Sequence, residues 1–209
     1  MKRNYQLMLD RELERIVSEQ RTPRLLLHVC CAPCSSYVLE YLSRYFAITV
    51  LFYNPNISPA SEYNVRAEEL QRLVATMPLS NPVEVIVSDY DPAPFLNIAE
   101  GREDLPEGGE RCTACYRLRL EESARIAQKD RYDYFTTSLS ISPLKDAERL
   151  NTIGGELATQ YGVPYLFSDF KKREGYKRSI QLSAEYNLYR QDYCGCAYSK
   201  RDAERRKNP

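Results

Sequence analysis

The hydrophobic positions of the chain alternate between short, mostly apolar runs and longer segments with helical spacing. Five runs have the length of buried parallel strands: Leu25–Val29, Ile48–Tyr53, Val83–Val87, Tyr132–Thr136 and Val163–Phe167. Between the runs, apolar residues recur every three or four positions, as Tyr63, Ala67 and Leu70 do. This alternation predicts an α/β fold with an open, mostly parallel five-stranded sheet and flanking helices.

The length and composition predict a single core. The chain has 209 residues, 43% of them hydrophobic, and residues 1–170 contain all five apolar runs. The polar, tyrosine-rich residues 171–209 predict a helical and irregular C-terminal extension that packs on the same domain. The charged N-terminus has no apolar signal segment, and no apolar run approaches the roughly 20 residues that span a bilayer. We therefore expect a cytoplasmic protein.

The charges are balanced overall but unevenly placed. The net charge at pH 7 is zero, which argues against indiscriminate binding to nucleic acids. Residues 82–110 carry eight acidic side chains and one basic side chain, whereas residues 171–209 carry eleven Lys or Arg against five Asp or Glu. A local basic face of this kind can bind a polyanion although the whole chain is neutral.

Seven cysteines fall into three short groups. They are Cys30, Cys31 and Cys34 in HVCCAPC, Cys112 and Cys115 in CTACY, and Cys194 and Cys196 in YCGC. Closely spaced thiols can reach one centre at a small cost in loop closure. In a reducing cytosol, grouped thiols bind metal or perform redox chemistry more often than they form disulfides. The first group directly follows the first apolar run, where α/β sheets bind their ligands.

These residues alone leave three kinds of site open. A CxxC with a CxC supplies the four ligands of a structural zinc, which would suit a zinc-stabilised RNA-binding module. CAPC before a helix is typical of a thioredoxin-like dithiol oxidoreductase. Four thiolates can hold an iron–sulfur cubane, and the seven cysteines then divide into four for the cluster and three for another centre.

Few other side chains are candidates for acid–base chemistry. His28 is the only histidine, and its position at a strand end favours a structural hydrogen-bonding role. Asp192 and Tyr193 adjoin Cys194 and are the candidate proton donors. Asp89 and Asp169 follow the third and fifth runs, where carboxylates are also common as helix caps.

With the three cysteine motifs in this order and FTTSLSISPLKD between them, the chain resembles the cobalamin-independent epoxyqueuosine reductases, the QueH family. The resemblance extends from about Leu25 to Cys196. It implies a Rossmann-like fold of the PP-loop (HUP-like) group, although CCAPCSS stands where that group has an SGGxDS phosphate loop. It also implies a tRNA-modifying oxidoreductase of queuosine biosynthesis, which removes the epoxide oxygen of epoxyqueuosine at the wobble position of tRNA.

The resemblance further implies an iron–sulfur enzyme, and we expect a [4Fe–4S] cluster with space for a second metal ion, iron or zinc. We assign four thiols to the cluster: Cys30, Cys31, Cys112 and Cys115. Cys194 and Cys196 then form a redox dithiol or, with Cys34, the second metal site. Because neighbouring side chains of an extended segment diverge, a partition that separates Cys30 from Cys31 stays open. No GxGxxG motif is present, so we expect an external electron donor of the ferredoxin, flavodoxin or dithiol type.

The basic tail is the predicted tRNA-binding surface. Its candidate contacts are Lys171, Lys172, Arg173, Tyr176, Lys177, Arg178, Arg190, Lys200 and Arg201. Lysine and arginine neutralise phosphates, and interleaved tyrosines can stack on a splayed anticodon base. The alternative is a solvated helix face with tyrosines packed beneath it.

Overall fold

The computed structural model describes residues 3–207. Residues 1–2 and 208–209, at the ends of the predicted regions 1–170 and 171–209, lie outside this description. The strands are β1 (Arg24–His28), β2 (Ala47–Phe52), β3 (Val83–Val87) and β4 (Tyr134–Thr137). The helices are α1 (Tyr5–Ser18), α2 (Ala32–Leu42), α3 (Ala60–Thr76), α4 (Ala93–Ala99), α5 (Glu110–Lys129), α6 (Ala147–Tyr161), α7 (Gly175–Glu185) and α8 (Ala197–Lys207).

The four strands form one parallel sheet in the order β3-β2-β1-β4. The centre of the sheet is β1, where Leu26 pairs with Thr49 of β2 and with Phe135 of β4. From β1 the chain runs outward through β2 to β3, and the connection from β3 then returns across the sheet to place β4 on the other side of β1. In open α/β sheets, the crevice at the carboxyl ends of strands where the direction of winding reverses is the usual place for a ligand.

Alternate side chains of β1 pack into two separate cores. Leu25 and Leu27 lie in a cluster with Leu39 of α2, whereas Leu26 lies in a cluster with Leu120 of α5 on the opposite face. Both faces of the sheet are thus covered by helices. Double coverage explains the mostly apolar side chains of the inner strands β1 and β2, whereas the edge strand β3 alternates and keeps Glu84 exposed.

The α/β class, the parallel sheet and the flanking helices are confirmed, but the predicted fifth strand is wrong. Within the described chain, the segment Val163–Phe167 makes only an isolated bridge between Tyr165 and Phe135. Phe135 donates to the carbonyl of Pro164 at 3.1 Å and accepts from the amide of Leu166 at 2.9 Å. Pro164 has no N–H, so the ladder cannot extend through it, and the segment lies along the sheet edge as an irregular strip.

A glycine pair lies inside α6 without breaking it. A Cβ atom at Gly154 would lie 2.5 Å from the ring of Tyr165, whereas a Cβ at Gly155 would lie 3.3 Å from the ring of Phe167. The absence of a side chain at Gly154 is what lets α6 approach the edge segment closely. The helix begins after Asp146, whose carboxylate accepts the amide of Arg149 at 3.1 Å.

The C-terminal residues return to the sheet. Helix α7 packs against α2, and α8 places Tyr198 next to Phe95 of α4 with ring centroids 6.2 Å apart. Cys196 is buried in a cluster with Phe95 and Cys115. The tail therefore brings the last cysteine group to the helix that carries the second. Within residues 3–207, no helix combines the length and the apolar character needed to cross a bilayer.

Candidate metal centre

The first cysteine group lies at the turn from β1 to α2. The sulfur atoms of Cys30, Cys31 and Cys34 all lie within 4.8 Å of one another, and those of Cys30 and Cys31 are 3.8 Å apart. The extended backbone of Cys31 ends the strand segment, and α2 begins at the next residue. The three thiols thus surround a helix N-terminus, whose partial positive charge favours a thiolate.

The three thiols share their protons unequally. Hydrogen bonds from Cys31 and Cys34 hold the pKa of Cys30 well below its ordinary value, although burial opposes this. The pKa values of Cys31 and Cys34 are raised, because hydrogen bonding with Cys30 and the loss of solvation both favour their protonated forms. One thiolate supported by two thiols is a compact set of soft ligands, and this cysteine group can bind a metal.

The other four thiols line a second, smaller cavity. Cys112 and Cys115 come from the first turns of α5, and Cys194 and Cys196 come from the loop that precedes α8. The sulfur of Cys112 accepts the amide of Gly108 at 3.2 Å, and the sulfur of Cys196 accepts the amide of Ser199 at 3.3 Å. Burial raises the pKa of Cys115 to about 12.

The two cavities adjoin each other. The larger one has a volume of about 320 Å³ and is lined by Cys30, Cys31, Cys34 and also Cys194, which lines the smaller one too. All three cysteine groups therefore meet at one end of the sheet. Each of the seven cysteines is a free thiol in the described chain. The four thiols assigned to the cluster from the sequence are divided between the two cavities, two in each.

Three buried arginines surround these thiols, and the sequence analysis missed them. Arg66, Arg111 and Arg119 are each at most 1% exposed. Arg66 donates to the carbonyl of Cys194 at 3.1 Å, and Arg119 donates through Nε to the carbonyl of Cys115 at 3.2 Å. Burial would lower the pKa of Arg119, but nearby thiols raise it. Buried cations require nearby negative charge, so the site as a whole is built to hold anions.

Lys145 is a fourth buried cation that was not singled out in the sequence. It follows β4 and the short 3₁₀ turn Ser138–Ile141, and its side chain lines both cavities. Burial opposes the charge of Lys145, but the thiol of Cys194 and the phenol of Tyr116 raise its pKa, so it stays an ammonium. Its position at the end of β4 was the available signal, because side chains there face the crevice.

Asp192 and Tyr193, the predicted proton donors, both line the larger cavity. Asp192 is exposed and forms an ion pair with Lys207, which lowers the pKa of the carboxyl. The guanidinium of Arg66 lies 5.4 Å from the centre of the Tyr193 ring. Partial burial raises the pKa of Tyr193. Of the two, Tyr193 is therefore the group that retains a proton.

His28 is fully buried and makes two hydrogen bonds. Its Nδ1 lies 3.0 Å from Oγ1 of Thr137, and its Nε2 lies 3.1 Å from the carbonyl oxygen of Tyr53. Burial lowers the pKa of His28 to about 4, so the ring is neutral. Because a carbonyl only accepts, Nε2 carries the proton and Nδ1 accepts from Thr137. This is a structural arrangement that joins β1 to its neighbours.

The other two carboxylates singled out from the sequence, Asp89 and Asp169, lie outside both cavities. Asp89 is exposed beyond β3, and Asp169 forms an ion pair with Lys171 at 3.1 Å. Neither residue belongs to the lining of the two cavities.

The basic tail is partly neutralised by carboxylates. Five of the predicted tRNA contacts form ion pairs: Lys171 with Asp169, Arg173 with Asp10, Lys177 with Glu174, Arg178 with Glu40, and Arg201 with Asp104. Arg190 donates to Ser183 at 2.9 Å, and Lys172 and Lys200 are exposed. Tyr176 and Arg190 line the larger cavity. Exposed ion pairs are weak, so these cations remain able to exchange a carboxylate for a phosphate.

The family model and the curated relatives indicate one family. The family model described as epoxyqueuosine reductase QueH matches residues 25–202. A relative of that name from Staphylococcus epidermidis is 42% identical over 205 residues, which cover 94% of this chain and 86% of the relative. One from Streptococcus pyogenes is 41% identical, with 95% and 80% covered, and one from Thermotoga maritima is 34% identical, with 84% and 89% covered. A solved structure, titled as a predicted subunit of tRNA methyltransferase from Methanocaldococcus jannaschii, aligns with 77% of this chain and 74% of its own at 17% identity and a TM-score of 0.49.

Proposed function

The chain belongs to the epoxyqueuosine reductase QueH family, and we infer from this membership that it is an epoxyqueuosine reductase. It acts on epoxyqueuosine at the wobble position of tRNA and removes the epoxide oxygen to give queuosine. The observation that carries this function is the convergence of seven thiols on two adjoining cavities at the carboxyl end of the sheet.

We propose that four of these thiols hold a [4Fe–4S] cluster. The donor set suits such a group, because thiolates are its usual ligands and amide N–H groups already point at the sulfurs of Cys112 and Cys196. Buried arginines next to the thiols match the negative charge of a thiolate-bound cluster. Cys112 and Cys115 belong to every partition we consider.

A partition that separates Cys30 from Cys31 is not favoured, because their sulfur atoms lie 3.8 Å apart, so the pair that completes the cluster distinguishes two partitions. The sequence-based set adds Cys30 and Cys31, whereas the shared smaller cavity adds Cys194 and Cys196. We favour the second, because it leaves the close triad of Cys30, Cys31 and Cys34 for a second metal ion, iron or zinc. Three thiols leave an open coordination position at such an ion.

The larger cavity is suited to the reacting part of the substrate. Removal of an epoxide oxygen consumes two electrons and two protons, closes a carbon–carbon double bond and releases the oxygen as water. When bound, a cluster held by these thiols would supply electrons one at a time, and a metal ion held by Cys30, Cys31 and Cys34 would offer Lewis acidity. The chain's own groups do the rest: Leu139 and Ile141 make the wall apolar, and Tyr193 holds a proton at its phenol oxygen.

We propose that tRNA binds to the basic C-terminal segment, of which Tyr176 and Arg190 line the larger cavity. Tyr176 is 37% and Tyr189 is 44% exposed, which leaves their rings accessible for stacking on an unpaired base. Lys172 and Lys200 supply exposed charges for phosphates. We propose that electrons come from an external donor of the ferredoxin, flavodoxin or dithiol type.

Anaerobic reconstitution tests this function. The protein is expected to bind iron and sulfide in about equal amounts and, with a chemical reductant, to convert epoxyqueuosine to queuosine in isolated tRNA, as followed by nucleoside chromatography. A colourless protein whose activity depends only on Cys31 and Cys34 would instead be a dithiol oxidoreductase. Stoichiometric zinc without iron, together with no conversion, would identify a zinc-stabilised RNA-binding module.

A further inference from the structure

The smaller cavity is bordered by hydrogen-bond donors that have no acceptor. Within residues 3–207, Nη2 of Arg119 and both Nε and Nη2 of Arg111 are buried without a hydrogen-bond partner. Both side chains line the cavity formed by Cys112, Cys115, Cys194 and Cys196. One acceptor of the same lining, Oδ1 of Asn56, also lacks a partner in this part of the chain, so the donors outnumber it.

Each arginine is fixed by its other nitrogen atoms. Nη1 of Arg111 donates to three carbonyl oxygens of the loop before α5, those of Arg102 at 2.8 Å, Glu103 at 2.9 Å and Leu105 at 2.7 Å. Its guanidinium also lies 4.5 Å from the centre of the Tyr198 ring. Arg111 is therefore held between that loop and α8, with two nitrogen atoms, Nε and Nη2, left to donate to another acceptor.

Arg119 links helix α5, which carries Cys112 and Cys115, to the end of β1 next to Cys30. Its Nε binds the carbonyl of Cys115, and its Nη1 lies 3.5 Å from Oδ1 of Asn54. Asn54 in turn donates to the carbonyl of Val29 at 2.8 Å, next to Cys30. Arg119 therefore bridges α5 and the end of β1, and it keeps a single donor free beside the smaller cavity.

Unpaired donors of a buried cation are costly. Burying a charged N–H group without an acceptor costs more than leaving a neutral one unpaired. Two such cations beside one cavity indicate that its occupant is an anion with acceptor atoms on its surface. An iron–sulfur cluster with four thiolate ligands has this character, because both its thiolate and its sulfide sulfurs accept hydrogen bonds.

We propose that Arg111 and Arg119 are positioning residues that donate hydrogen bonds to the sulfur atoms of the cluster and raise its reduction potential. The inference rests on the cluster proposed above and on its location in the smaller cavity. Reduction adds one electron from the external donor to the cluster and makes it more negative by one charge. Fixed positive charges stabilise the reduced form more than the oxidised form, so their removal makes the cluster harder to reduce.

Charge-neutral and charge-retaining variants of Arg119 test the proposal. After anaerobic reconstitution, iron and sulfide are quantified, and the midpoint potential is measured by a redox titration followed by electron paramagnetic resonance. Arg119→Gln is expected to bind the cluster and to lower the ratio of reduced to oxidised cluster at least tenfold at a fixed potential, a shift of about 59 mV for one electron. Arg119→Lys keeps the charge and is expected to shift the ratio less than threefold.

Arg125→Gln is the matched control, because Arg125 lies on the same helix but is exposed and paired with Glu122. It is expected to have the potential of the unaltered protein. Arg111→Gln is an independent test. Its midpoint potential is expected to shift in the same direction as that of Arg119→Gln.

The outcomes separate this inference from the proposed function. An unshifted potential in Arg119→Gln or in Arg111→Gln overturns the inference and leaves the reductase function standing. Cluster loss in Arg119→Gln with retention in Arg119→Lys supports a requirement for the charge. If both Arg119 variants lose the cluster, the inference is tested by the midpoint potential of Arg111→Gln: a lower potential supports it and an unshifted one overturns it. An unaltered protein that binds no iron and sulfide refutes the proposed function itself.

Discussion

The ammonium nitrogen of Lys145 lies 3.4 Å from a carboxylate oxygen of Glu107, and both side chains line the two cavities that hold the thiols. Lys145→Met removes the cation and leaves the carboxylate unpaired beside Cys194. Because a preorganised charge at a reacting centre typically contributes a factor of about 10² or more, we expect single-turnover conversion to fall roughly 10²-fold. Rapid-quench nucleoside analysis measures this rate, while tRNA affinity is measured separately by filter binding.

Two further variants interpret that result. Lys145→Arg retains the charge and should recover part of the rate. Lys129→Met, at the exposed end of α5, should have the rate of the unaltered protein. A Lys145→Met protein with an unaltered single-turnover rate would show that the buried ammonium takes no part in the reaction.

Cys112→Ala is expected to abolish cluster assembly, because Cys112 is a ligand in both partitions. Iron and sulfide analysis after anaerobic reconstitution measures the loss. Cys34→Ala is the matched control, since Cys34 is outside both ligand sets, and it should retain iron and sulfide at the cluster. A full complement of both elements in Cys112→Ala removes Cys112 from the ligands.

A pair of alanine variants decides between the partitions. If the smaller cavity holds the cluster, Cys196→Ala loses it and Cys31→Ala retains it. If the sequence-based set is right, the results are exchanged. Absorbance in the visible range, together with the ratio of sulfide to protein, distinguishes the two, because a second metal ion bound by thiols alone contains no sulfide.

Tyr193→Phe is expected to slow conversion more than Asp192→Asn does. The ion pair with Lys207 keeps Asp192 ionised, and an ionised carboxylate has no proton to give. The phenol of Tyr193 keeps its proton, and loss of a general acid typically costs about 10²–10⁴-fold in rate. Single-turnover rates at saturating tRNA compare the two variants, and a larger loss in Asp192→Asn would reverse the assignment.

Gly154→Ala is expected to lower the free energy of unfolding by roughly 1–2 kcal/mol. The new Cβ would meet the buried ring of Tyr165 at 2.5 Å, and overpacking of this kind outweighs the gain of about 1 kcal/mol in helix propensity. Gly155→Ala is the matched control, because Phe167 lies 3.3 Å away and is only half-buried. Urea denaturation should show Gly155→Ala to be neutral or slightly stabilised.

The hydrophobic pattern predicted the four strands of the sheet and the end of the sheet at which the thiols lie. Parallel strands buried on both faces are read directly from runs such as Leu25–Val29, and the carboxyl end of such a strand points to the crevice. The segment Val163–Phe167 was wrongly predicted to be a fifth strand. Its apolar residues suit an irregular segment at the sheet edge as well as a hydrogen-bonded strand. Pro164 was the local sign that no ladder would form.

The buried cations could not be identified in the same way. Arg119 occurs in the charged sequence YRLRLEES, where most arginines are solvated, and its burial depends on helices and loops distant in sequence. A partial signal existed, since Cys112, Cys115 and Arg119 are spaced by three and four and so share one face of a helix. For Lys145, the only signal in the sequence was its position after the end of β4. The division of thiols between cavities depends on the path of the tail, which no periodicity encodes.

The loop of Cys194 and Cys196 is held against the body of the protein by direct contacts, among them the hydrogen bond from Arg66 to the carbonyl of Cys194 and the hydrogen bond from Ser58 to the carbonyl of Gly195. A metal centre that binds these thiols together with Cys112 and Cys115 would cross-link positions that are about eighty residues apart in the chain. Occupation of the centre and the position of this loop should then be coupled. Removal of the metal by a chelator should therefore make the loop before α8 more accessible to proteases while the sheet stays folded.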